Sequence, residues 1–254
     1  MLILSDVHAE FDALREVASQ GQPLLILGDL INFIDYRTYD GILAEVLGRG
    51  LVREIVDYRA AGDYEGSRRL WQRVTEGKQD EVRAEIDQKV RRQYAELSTA
   101  LAGAVAYVTF GNVDWPDLLR DSLPAGSRFL DGQVVEIEGW KVGFAGGGAP
   151  SPLGVPGEVP SEELAAKLEG LGDVDVLCTH MAPSIPALHY DVVAGISQRS
   201  STAILDYIEA RQPKFHYFGD IHQPRASQWR IGRTKCRNVG YFRATRRAVA
   251  HPGR

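Results

Sequence analysis

Five short apolar runs in this chain each end in a residue able to bind a metal ion. Residues 1–5 lead to Asp6 and His8, and Leu24–Leu27 lead to Asp29. Residues 104–110 lead to Asn112, residues 174–178 to His180, and Phe215–Phe218 to Asp220 and His222. Wholly apolar runs of this length, bounded by turn residues, suit strands buried on both faces. Between the first two, Phe11, Leu14, Val17 and Ala18 recur at helical spacing, giving strand, helix, strand. Ligand sites in α/β sheets gather at the carboxyl ends of the strands. Alternation along an extended chain would set Asp6 and His8 on one side. Each donor has a bland alternative: Asp6 as a helix N-cap, His8 as an exposed loop residue. Five such strand ends in one chain outweigh those alternatives. Asn112 is the telling member, because a buried amide is costly unless it ligates or anchors something.

The rest of the chain frames these ends. At 254 residues, 44% hydrophobic and 25% charged, it suits one large α/β domain or two small ones. Residues 38–102 differ in character. Val82, Ile86, Val90, Tyr94, Leu97 and Leu101 mark a long amphipathic helix, so this stretch reads as a helical insertion, a hairpin acting as a cap or an interaction surface. Residues 134–137 and 141–145 read as a β-hairpin around Glu138-Gly139-Trp140, followed by a tight turn at Gly146-Gly147-Gly148. Pro150 to Pro160 reads as a loop, and Ser161 as the N-cap of the helix after it. A helix at 200–211 precedes the strand at 215–218, and two strands near 227–231 and 236–239 close the fold. Arg225 to Arg254 contains many Arg and no Asp or Glu, and reads as a scattered solvated set of charges. A net charge of −5 argues against a dedicated nucleic-acid or membrane binder. Two distant cysteines, no leader before the first strand and no run of transmembrane length suggest a cytoplasmic protein.

In order and placement, the blocks resemble the calcineurin-like metallophosphoesterase superfamily. They stand as Asp6-Val7-His8, Gly28-Asp29, Gly111-Asn112-Val113-Asp114, Thr179-His180 and Gly219-Asp220-Ile221-His222, with Asn238-Val239-Gly240 similar to the turn after the last block. The resemblance implies a four-layer αββα sandwich of two mixed β-sheets over residues 1–254, interrupted by the insertion. It implies two divalent metal ions. Asp6, His8 and His222 would hold the first, Asn112, His180 and Asp220 the second, and Asp29 would bridge them. Carboxylate, imidazole and amide donors suit Mn²⁺, with Fe or Zn²⁺ as alternatives. Two such ions can share a bridging hydroxide and clamp a phosphoryl group. Asn112 and His180 would also serve the reaction.

Three positions depart from the family pattern. Asp220 replaces the first His of the last block, which adds negative charge and favours harder metals. Val113 replaces a His that can protonate the leaving group, as in the subset of small bacterial-type phosphodiesterases with Cys or Met there. His189 and His216 are substitute donors by residue type only. Asn32 replaces an Asp that is not a ligand in the family. The expected activity is phosphoester hydrolysis, of diesters before monoesters. The alternatives are a phosphomonoesterase or nucleotide phosphatase, and a catalytically weak binding scaffold of the same fold. The expected partners are a small phosphoester or nucleotide, no nucleic acid and no membrane, with a homo-oligomer formed through the insertion.

Overall fold

The computed structural model describes residues 1–151 and 154–253, so Pro152 and Leu153 of the expected loop and Arg254 of the basic tail lie outside the described residues. The strands, in chain order, are β1 (Leu2–Leu4), β2 (Leu24–Leu27), β3 (Ala106–Thr109), β4 (Ser127–Phe129), β5 (Gln133–Ile137), β6 (Trp140–Ala145), β7 (Val176–Thr179), β8 (Tyr190–Asp191), β9 (Ile196–Ser197), β10 (Phe215–Phe218), β11 (Gln228–Ile231), β12 (Thr234–Asn238) and β13 (Val249–Ala250). The helices are α1 (Phe11–Ala18), α2 (Ile42–Leu47), α3 (Arg49–Ala60), α4 (Tyr64–Thr75), α5 (Gln79–Ala100), α6 (Pro116–Ser122), α7 (Ser161–Leu171), α8 (Pro186–His189), α9 (Thr202–Arg211) and α10 (Phe242–Thr245).

The strands form two mixed sheets, ordered β13-β1-β2-β3-β4 and β11-β12-β10-β7-β6-β5, and a small β8-β9 ribbon. In the first sheet β1 to β4 run parallel and β13 antiparallel. In the second, β12, β10, β7 and β6 run parallel, while β11 and β5 are antiparallel edges. Period-two alternation gives each strand two apolar faces. Ile3, Leu25 and Leu27 face Val142, Phe144, Val176, Cys178 and Tyr217 between the sheets. Leu2, Leu4, Leu24 and Ile26 point outwards into the cluster that holds Leu14 and Val17 of α1 and Val90, Tyr94 and Leu97 of α5. Outside the second sheet, α7 lies against β5 and β6, with α9 beside it. The result is the expected four-layer α/β sandwich.

Local chemistry explains several details. Glu138 (φ 50°) and Gly139 (φ 78°) make the two-residue hairpin turn, because a turn of this hand needs positive φ at both centres. Ser201 caps α9 by accepting the Ile204 N–H at 3.2 Å. Ser161 does not cap α7: Pro160 occupies the cap and Ser161 is the first helical residue. Between β2 and β3 the chain forms four helices rather than a hairpin. α3 and α4 bury few apolar side chains, chiefly Val52, Ile55 and Leu70, so their periodicity is faint. α5 packs against α1, α2 and α6.

His216 is sealed in mid-strand, with Nε2 2.9 Å from Thr179 Oγ1, so it is placed as a core residue rather than a proton donor. Burial pushes its pKa down to about 3. The unfolded imidazole titrates near 6.5, so between these values the unfolded chain binds more protons. The stability this group contributes is therefore complete above pH about 6.5 and is lost as pH falls towards about 3, at roughly 1.4 kcal/mol per unit. His216→Phe is expected to flatten the fall in Tm between pH 6 and 4. Parallel acid slopes for the two proteins would remove this account of His216.

Candidate metal centre

The strands deliver the polar residues by ending abruptly. β1 stops at Leu4, and Asp6 (φ 59°), His8 (φ 42°) and Ala9 (φ 64°) then take left-handed conformations. Asp6 and His8 are thus brought together by a tight turn, not by alternation along an extended strand. Asp29 (φ 54°) and Asp220 (φ 65°) adopt the same conformation after β2 and β10. Asp and His tolerate it better than bulky residues, and such strain collects at functional sites. Backbone bonds stitch these turns together: Asp6 N–H to Gly28 O at 3.0 Å, His8 N–H to Asp29 O at 2.9 Å and Gly219 N–H to His180 O at 2.9 Å. The Asp220 N–H donates to Asp6 Oδ2 at 3.1 Å.

Glycine precedes Asp29 and Asn112 because the strand ends approach too closely for a side chain. A Cβ on Gly28 (φ 99°) would strike the Gly111 backbone, and one on Gly111 would strike Asp29 Oδ1 and the His180 ring.

All seven sequence-predicted residues meet here. Ligand atoms of Asp6, His8 and His222 lie within 4.8 Å of one another, as do those of Asp6, Asp29 and His180. His222 Nε2 is 3.5 Å from Asp6 Oδ1, and His8 Nε2 is 3.8 Å from Asp29 Oδ2. His180 Nε2 lies 3.3 Å from Asn112 Oδ1, 3.4 Å from Asp29 Oδ1 and 3.8 Å from Asp220 Oδ1. The two oxygens of Asp29 therefore face different imidazoles. His180 Nδ1 lies 2.8 Å from Leu27 O and His8 Nδ1 3.3 Å from Ile31 O. These carbonyls favour the Nδ1–H tautomer, leaving each Nε2 lone pair aimed into the cluster.

Two observations fit a cation. Among the described residues, buried Asp6 Oδ1 and His8 Nε2 have no hydrogen-bond partner, which is costly unless something else engages them. The carboxylates also crowd one another. Burial, with Asp29 and Asp6 nearby, pushes Asp220 up to about 6 against the pull of His180. Burial would raise Asp29, but His180 and His8 and the Val113 N–H hold it well below the usual range. Burial would lower His180, but Asp29, Asp220 and Asp6 hold it well above its ordinary value. Burial lowers His8, while Asp6 raises His222 against burial.

Two supporting groups escaped the sequence reading. Asp114 Oδ2 accepts the N–H groups of Asp29 (2.8 Å) and Gly111 (2.9 Å), and Oδ1 accepts Leu30 N–H (3.0 Å) and Tyr94 O–H (3.3 Å). One carboxylate thus fixes the ends of β2 and β3 and ties them to α5. Burial, with Asp29 nearby, pushes it up to about 7. Tyr241 stacks on His222 with centroids 3.8 Å apart and planes 5° from parallel, setting that ring's orientation. Its position in the Gly240–Phe242 turn gave no pattern to read.

No protein-family profile matches the chain, and no curated protein matches it. A solved Staphylococcus aureus protein in complex with α-ketoglutarate, described as a candidate 5'-nucleotidase, superposes with a TM-score of 0.43 at 13% identity. The match covers 94% of this chain and 48% of that one, so this chain spans about half its length. No helix among the described residues is long and apolar enough to cross a membrane. The site itself is a cluster in which Asp6, His8 and His222, and Asp6, Asp29 and His180, are grouped so that they could bind metal ions.

Proposed function

We propose that this chain is a metal-dependent phosphoester hydrolase that prefers diesters and works with two divalent cations, Mn²⁺ foremost. The observation that carries this reading is the convergence of Asp6, His8, Asp29, Asn112, His180, Asp220 and His222, with Asp6 Oδ1 and His8 Nε2 buried without a hydrogen bond. Asp6, His8 and His222 would hold one cation, Asn112, His180 and Asp220 the other, and Asp29, facing both sides, would be shared. Bound there, such cations lower the pKa of water and neutralise charge on a phosphoryl group.

The chain's own residues supply the rest. Val113 N–H donates to Asp29 Oδ1 at 3.1 Å and so orients the shared carboxylate. The Leu27 and Ile31 carbonyls hold His180 and His8 in place. The Asn112 amide is available to a phosphoryl oxygen as well as to a cation. Val113 itself is aliphatic and donates no side-chain proton to a leaving group, which favours esters whose leaving group departs readily. Residues 38–102, which carry α2 to α5, act in this reading as a cap over a single domain: Asn32 N–H, three residues beyond Asp29, donates to Gln93 Oε1 of α5 at 2.8 Å.

The test is elemental analysis together with hydrolysis of bis-p-nitrophenyl phosphate and p-nitrophenyl phosphate in Mn²⁺. About two metals per chain and faster turnover of the diester are expected. One metal or none, with neither ester cleaved, would overturn the reading and favour the scaffold alternative.

A further inference from the structure

Along the sequence the charges of the arginine-rich tail look scattered, but the register of the second sheet gathers three of them on one face. Lys235 of β12 stands beside Phe215 of β10, and Arg237 beside Tyr217. On the next strand outwards, Arg230 of β11 is opposite Lys235 and Gln228 is opposite Arg237. Side chains opposite one another share a face. Lys235 Nζ accordingly lies 5.6 Å from the centroid of the Phe215 ring. Phe215 and Tyr217 are covered by His251, whose ring centroid is 4.9 and 5.7 Å from theirs. Further out the cover ends, and Gln228, Arg230, Lys235 and Arg237 are all exposed.

This grouping opposes the stability of the hairpin. Asn238 N–H donates to Ser227 O at 2.9 Å, so Arg230 and Lys235 fall on a pair that exchanges no backbone hydrogen bonds. Side chains are closest in such pairs, and like charges there repel. Among the described residues no carboxylate pairs with Arg230, Lys235 or Arg237, whereas Lys214, just before β10, has Asp175 Oδ1 at 2.9 Å. The other edge of the same sheet is built differently: there Glu136 of β5 faces Lys141 of β6. A charge on an edge strand guards against unwanted pairing, and Arg230 alone meets that need. Lys235 and Arg237 lie on the interior strand β12 and guard nothing.

The backbone is open at the same place. β11 is the outermost strand, and alternation turns the N–H and C=O groups of Gln228 and Arg230 away from β12, towards the free edge. A strand added there would set the residues opposite Gln228 and Arg230 on the basic face.

We propose that the β11 edge receives an extended acidic segment of a partner protein, paired as an added strand with alternate Asp or Glu side chains beside Arg230, Lys235 and Arg237. Main-chain bonds would supply affinity and the alternate carboxylates specificity. A nucleic acid would answer the charges but not the open backbone groups. A second copy pairing β11 with β11 would set arginine against arginine, since residues 221–254 contain no Asp or Glu.

The probe is a fluorescent peptide of alternating Glu and Thr, titrated against the full chain and read by polarisation. Saturable binding is expected, weakened about tenfold by Arg230→Glu and by Lys235→Glu. N-methylating the peptide's backbone at alternate residues, in either phase, is measured on the unaltered protein. Methylation in the phase that pairs with β11 is expected to cost about tenfold or more, and in the other phase little. Amide exchange at Gln228 and Arg230 is expected to slow when the peptide is added. No saturable binding, equal binding of both methylated peptides, or unchanged exchange at these amides would overturn the proposal. So would single-stranded oligothymidylate binding as tightly as the peptide and losing as much in both variants, which would mark a general anion surface. Self-association of the chain that Arg230→Glu abolishes would assign the edge to a second copy and overturn it equally.

Discussion

Asp29→Ala is expected to lower diester hydrolysis by about 10³-fold or more, equivalent to roughly 4 kcal/mol of barrier. The carboxylate places one oxygen 3.8 Å from His8 Nε2 and the other 3.4 Å from His180 Nε2, and it also accepts the Val113 N–H. Asp6 also lies within 4.8 Å of both imidazoles, but Asp29 divides its two oxygens between them. Its loss should therefore affect both halves of the cluster together. Metal content measured on the same sample is expected to drop along with turnover, while far-UV circular dichroism stays that of the parent. A variant that keeps more than about a tenth of the activity would mean that Asp29 is not the shared ligand.

Asp114→Ala should act on stability first. The side chain accepts three backbone N–H groups and the Tyr94 hydroxyl at a fully buried position. Each buried donor left without an acceptor costs about 1–3 kcal/mol, less where water enters. A combined loss of about 4–6 kcal/mol would lower Tm by roughly 10–20 °C in a chain of this size. Asp114→Asn keeps one acceptor and should fall between the two. Scanning calorimetry of the metal-free proteins decides the matter. A Tm within about 2 °C of the parent would show that water replaces the carboxylate without cost.

How far the sequence could be read depended on where each residue's partners lie. β2 and β10 have apolar or aromatic residues at every position because both sheet faces are covered, so their limits were plain. β4 and β13 span three and two residues at partly exposed edges, too few for a period to show. α3 and α4 keep most of their surface in solvent, and their scattered apolar positions did not mark two further helices. At the site, the metal-binding candidates were legible because each side chain carries its chemistry in its own type and directly follows a buried run. Asp114 was in view as part of Gly111-Asn112-Val113-Asp114, but its work is to satisfy backbone donors on two strands, which no spacing records. Tyr241 orients His222 through a ring stack, formed only when loops distant in sequence meet.

The bond between Asp220 N–H and Asp6 Oδ2 joins residues 214 positions apart. During synthesis at about 5–20 residues per second, Asp6 leaves the ribosome roughly 10–40 seconds before its partner exists. Over that interval β1 can pair with β2, but the cluster lacks Asp220 and His222, which follow β10. On the proposed reading, metal capture would thereby be confined to the nearly finished chain. A nascent fragment ending before residue 220 would carry the carboxylate of Asp29 and the imidazole of His8 without Asp220 and His222, so on that reading loading would be a closing step of folding rather than its trigger.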